Sequence, residues 1–179
     1  MMRTTIALFA LYLWTPAFPA NAADLATIDC VIGKVQPALR EQLETDVTRN
    51  FTENTLRPTF DPAVNSGLRA AATACAIEHK WSEAAATAAR DYALAKLGLP
   101  IAEKFVAEKG FVTAELETQF GSLAEDIRNR QLTKEEMQAL VIASVADEAM
   151  KTRDNAALLN KYYLILSTVQ FAAWNFSQA

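Results

Sequence analysis

The sequence predicts an all-α, single-domain helical bundle of about five to seven helices, mostly up-and-down, ending in a long buried helix. Three observations carry this. Apolar residues recur at steps of three and four through most of the chain, the spacing of one helix face. The few glycines and prolines punctuate that spacing. No run alternates apolar with polar residues in the way a half-buried strand does.

The first helical stripe is Ile28, Ile32, Val35, Leu39, Leu43, Val47 and Phe51, with Gly33 and Pro37 expected to kink or divide it. FTENTLRPTF reads as a loop. Asp61 with Pro62 restarts helix, the first as a cap and the second suited to the opening turn. That segment carries Val64, Leu68, Ala71, Cys75 and His79 on one side as far as Lys80. Ser82 caps the next helix, whose face of Ala85, Ala88, Tyr92 and Ala95 is mostly small. Gly98 is expected to end it, and Pro100 to open a short helix that Gly110 stops.

A further helix starts at Thr113, with Leu116, Phe120, Leu123 and Ile127 on its buried side. Thr133 with Glu136 is a capping box, and Leu132 with Met137 the hydrophobic staple around it, for a helix running to about Lys151. Asp154 is expected to cap the terminal helix. Leu158, Tyr162, Ile165, Val169, Ala172 and Phe176 form one side of that helix, and Leu159, Tyr163, Leu166 and Trp174 a second. A helix apolar nearly all round belongs at the centre of a bundle. Its Ser167, Thr168, Gln170 and Asn175 speak against a bilayer span, where such groups lack water.

Residues 1–22 read as a cleaved signal peptide and 23–179 as the helical domain. Arg3 precedes an apolar run from Ile6 to Trp14, and Ala20-Asn21-Ala22 offers small residues for cleavage before Ala23. The run is well short of the roughly 20 residues a bilayer span needs. A periplasmic or secreted protein without a stable membrane anchor follows. Removing Arg3 takes the formal charge from −4 to −5. The basic residues are thinly spread rather than clustered, which excludes nucleic acid as a partner.

Two cysteines, Cys30 and Cys75, in an exported chain predict a disulfide. A structural zinc needs four ligands and a catalytic one about three. Cys30, Cys75 and His79 are the chain's entire stock of thiolate and imidazole, and Glu78 points about 100° away from His79, so no metal is expected; the alternative pair is Cys75 with His79. His79 reads instead as a helix-end residue. No cofactor is implied: C-x-x-C-H is missing, and glycines do not cluster into a phosphate loop.

No G-x-S-x-G turn accompanies His79, so no catalytic residue is assigned. Glu83, Glu115, Glu117, Glu135, Glu136, Asp147 and Glu148 are acids that a glycosidase could use, but their positions are those of solvated helix decoration. The leading expectation is a non-catalytic exported protein that binds another macromolecule of the envelope. An apolar-ligand-binding bundle is the alternative, and a cell-wall glycosidase the third reading. Tyr162, Tyr163, Phe171, Trp174 and Phe176 are the candidate ligand or partner surface.

Overall fold

The computed structural model describes residues 22–53 and 57–179; the signal-peptide expectation lies almost wholly outside them. Among the described residues the chain forms eight α-helices and two 3-10 turns, with no strand. The order is a 3-10 turn Leu25–Thr27, α1 Cys30–Lys34, α2 Pro37–Thr52, α3 Pro62–His79 and α4 Glu83–Glu108. Then come α5 Thr113–Gly121, α6 Glu125–Arg128, α7 Lys134–Ala143, a turn Glu148–Met150, and α8 Arg153–Gln178.

The expected division of the first helix falls at Pro37, which takes the first position of α2 after extended Val35 and Gln36. Asp61 caps α3 by accepting from Ala63 N–H, and Lys80 closes it in the left-handed conformation at φ 57°. Ser82 caps α4 through Ala85 N–H, and Gly110 follows its end at φ +86°.

Between those ends the expected break does not occur: α4 runs unbroken through Gly98 and Pro100. Proline denies the Lys96 carbonyl its helical bond, at a cost of about 3 kcal/mol. Pro100 and Lys96 are exposed, so that carbonyl reaches water, while Ala95, Leu99, Ala102 and Val106 on the opposite face are buried. Packing on that face outweighs the missing bond. Gly98 is a contact point instead of a terminator, because a Cβ there would stand 3.3 Å from Val47 of α2. Gly67 likewise lies within α3, where a Cβ would overlap Leu39.

Three other boundaries differ from expectation. The helix from Thr113 stops at Gly121, and Ile127 belongs to the separate α6. There Ser122 turns its hydroxyl back onto the Gln119 carbonyl. α7 ends at Ala143 instead of near Lys151, since Ser144 donates to the Leu140 carbonyl and Asp147 caps a new turn through Ala149 N–H. Thr152, not Asp154, caps α8 by accepting from Asn155 N–H.

The antiparallel pair α4 and α8 is the spine, with the most extensive helix contact in the fold. Two apolar clusters form along it. One gathers α1, α2, α3 and the first half of α4 around Val31, Leu43, Leu68, Cys75 and Phe176. The other joins the second half of α4 to α5, α7 and α8 around Val106, Leu116, Leu140, Leu159 and Tyr163. Trp81, edge-on to Phe176 at 4.9 Å, donates to Thr27 at 3.1 Å. Ala23 N–H donates to the Ala179 carbonyl at 3.1 Å, so the described N-terminus meets the end of α8.

Cys30 and Cys75 are bonded, as the sequence predicts, joining α1 to α3 across 45 residues. Closing a loop of that size stabilises the fold by about 4 kcal/mol in the chain-entropy account. Replacing both cysteines by alanine is therefore expected to lower the unfolding free energy by about 4 kcal/mol. Urea unfolding of the two proteins would measure it, and the same loss should follow when the wild type is reduced.

Candidate functional site

The α4–α8 spine carries small side chains on one of its outward faces, and a cleft follows from that. Ala84, Ala88, Ala95 and Gly98 of α4 form one half of the floor; Leu164, Ile165, Phe171 and Ala172 of α8 form the other. At about 3.6 residues per turn each set falls on one broad helix face. The cleft is open along one side and has a volume of about 1270 Å³. That exceeds the roughly 300–1,000 Å³ of ordinary small-molecule sites. Its lining is predominantly apolar, as such sites are.

One wall is the end of α2 and the segment before α3, contributing Phe51, Pro58 and Phe60. Polar groups pin it. Asn50, buried, donates to the Thr59 carbonyl at 2.9 Å and accepts from Thr59 N–H at 3.0 Å. Asp46, fully buried, accepts from Asp61 N–H at 2.6 Å and from Gln42 at 3.1 Å, and pairs with Arg49 at 3.0 Å. Arg49 also donates to the Thr59 carbonyl at 2.8 Å. Buried polar groups persist when their bonds are met, and here those bonds fix the wall. Phe51 stacks on Phe105 of α4, ring centres 5.2 Å apart.

The facing wall is the entry to α7. Leu132 and Met137, the staple pair, line the cleft, and the capping box forms as predicted. Glu136 accepts from Thr133 N–H at 2.8 Å and takes two bonds from Arg130, at 2.5 and 2.8 Å. These bonds, Arg130's first among them, hold the Glu136 carboxyl down to about 2.

Among the described residues, three charged ones line the cleft: Glu83, Asp91 and Lys161. Glu83 is exposed at the start of α4, and Asp91 is paired with Arg90 at 2.7 Å. Lys161, near the opposite end, donates to the Asn50 carbonyl at 2.7 Å and the Glu53 carbonyl at 2.5 Å. Its partners are thus the unsatisfied carbonyls that close α2. Burial lowers its pKa, and the Glu53 charge opposes this.

Of the candidate surface residues, Tyr162, Tyr163 and Phe176 are fully buried and are core instead of surface. Tyr163 shares a hydrogen bond with Ser144 at 2.5 Å; the Tyr162 hydroxyl has no partner among the described residues, and burial raises its pKa. Trp174 is 39% exposed but does not line the cleft; Phe171 does. Reading α8 alone could not separate these, because the helix is apolar on two sides. Lys161 was legible only as the last charge before the terminal apolar stretch.

Around the disulfide, Cys30, Glu78 and His79 bring possible ligand atoms within 4.8 Å of one another. The set contains Cys30 where the sequence suggested Cys75, and Glu78 turns toward His79 despite its offset on the helix. Both sulfurs are committed to each other, Glu78 pairs with Lys34 at 2.8 Å, and His79 stacks on Trp81 at 5.3 Å. The glycosidase candidates do not converge on the cleft: only Glu83 among them lines it.

No helix among the described residues is long and apolar enough to cross a membrane. Compared with known protein families, curated proteins and solved structures, the chain matches none.

Two outcomes are expected of the walls. Asn50→Ala removes the partner of the Thr59 N–H, while the Thr59 carbonyl keeps Arg49, and should cost about 1 kcal/mol, read as a lowered urea midpoint. For Glu136 the folded pKa is depressed, so its stabilising contribution is complete above the ordinary value near 4.5 and disappears as pH falls through about 2. A carboxyl titration by NMR should place its midpoint near 2, and Arg130→Ala should move that midpoint upward.

Proposed function

We propose that this chain is an exported, non-catalytic protein that holds an elongated apolar small molecule in the cleft beside its terminal helix. The observation that carries the reading is the cleft itself: a half-enclosed, mostly apolar volume of about 1270 Å³ along the spine of the fold. A filled bundle of this size has no need of it, since protein interiors pack as densely as organic crystals. The walls support the reading too, because buried polar bonds hold apolar side chains at the rim. Export is supported by the leader pattern and by the disulfide, which suits an oxidising compartment.

This reading moves the apolar-ligand alternative ahead of an envelope macromolecule. Among the described residues, large exposed apolar side chains are scattered: Leu25 in the first turn, Ile77 on α3, Val112 before α5, Ile142 on α7, and Leu164 and Trp174 ten positions apart on α8. A partner-binding face calls for a contiguous patch. The glycosidase reading calls for an isolated buried acid, and the cleft's described acids are an exposed Glu83 and a paired Asp91.

Titrating the protein with N-phenylnaphthylamine, a neutral apolar fluorophore, should give a saturable rise in emission. Thr87 is exposed and lines the cleft, so Thr87→Phe should fill it without disturbing the core. Affinity should fall about tenfold, or 1.4 kcal/mol, at unchanged melting temperature. Absence of saturable binding would remove the proposal.

A further inference from the structure

The geometry points to a long-chain fatty acid as the ligand class, its carboxylate on Lys161 and its chain along the α4–α8 floor toward Gln178. This rests on the apolar-ligand reading above and adds the head group, the direction and the length.

Lys161 is the one cation among the described lining residues. An ammonium has three donors; two are used on the Asn50 and Glu53 carbonyls, and one remains. No carboxylate among the described residues forms a salt bridge with it, whereas Asp91 has Arg90. The Glu53 charge reaches this half-buried cation without cancelling the effect of burial, so its charge is only partly compensated. An anion beside it would offset the desolvation that lowers its pKa.

One remaining donor suits a carboxylate better than a phosphate, which gathers several donors or an arginine fork. Beyond Lys161 the floor turns apolar at Leu164, Ile165, Phe171 and Ala172. From Lys161 to Gln178, both of which line the cleft, α8 extends about 26 Å at ~1.5 Å per residue, a length that accommodates an extended acyl chain. Of the acids among the described lining residues, Glu83 belongs to the opposite end, where α4 begins beside the end of α8. A ligand with its anion there would be repelled, and this fixes the direction.

The test displaces N-phenylnaphthylamine from the full chain with palmitate, hexadecanol, hexadecylamine and hexadecyl phosphate, each below its micellar concentration. Palmitate is expected to displace the probe at concentrations at least tenfold lower than the other three. Lys161→Met should erase its advantage, so that palmitate and hexadecanol displace the probe equally; Lys161→Arg should keep it. If the methionine variant fails to fold, the ranking of the four competitors on the wild type decides. Equal displacement by palmitate and hexadecanol, or preference for the amine or phosphate, overturns the fatty-acid assignment and leaves the apolar-ligand reading standing. Failure of the probe and of every competitor to bind overturns both.

Discussion

The close antiparallel contact between α4 and α8 is the constraint on which the rest of the structure depends. Buried Ala85, Ala88, Ala89, Ala93 and Ala95 keep the first half of α4 slim, so helix axes can approach without large side chains between them. Each helix then has other faces free to nucleate a cluster. One cluster is closed by the disulfide-bearing helices and the other by the shorter helices between α4 and α8. Slim side chains fill little volume, and where neither cluster covers them the spine is left with a trough. The cleft and the core thus come from one property of the sequence.

A trough alone would close by collapse, since apolar surface exposed to water is unfavourable. Its walls are kept apart by polar bonds that an apolar contact cannot replace. Asp46 and Asn50 project from α2 and hold the backbone at Thr59 and Asp61, placing Pro58 and Phe60 at the rim. Across the cleft, Glu136 is fixed by Arg130 and Thr133, placing Leu132 and Met137. In both walls a helix end supplies the polar groups and its neighbours supply the apolar surface. Lys161 joins the two roles, bonding to the carbonyls that end α2 while lining the cavity.

Caps were legible because their chemistry is local. Asp61, Ser82 and the Thr133–Glu136 box act over two or three residues, and each stands where the sequence places it. Helix continuity was less legible. The penalty at Pro100 is local, but the compensating burial of Leu99, Ala102 and Val106 comes from partners far along the chain. The α7 ending near Ser144 has the same character, since that hydroxyl also meets Tyr163, nineteen positions away. That Tyr162, Tyr163 and Phe176 are buried was not legible for a related reason: periodicity marks a residue as apolar, not which apolar side faces a neighbour and which faces a void.

By itself the sequence determined the all-helical class, most helix starts, the central placement of the terminal helix and the pairing of its two cysteines. These follow from spacing, capping chemistry and a pair of thiols with no other mate. Only the tertiary structure decided that α4 continues through its proline, that Tyr162, Tyr163 and Phe176 are core, and that Lys161 stands at the end of an apolar cleft. Cavities are properties of what packing leaves unfilled, and that depends on several helices at once.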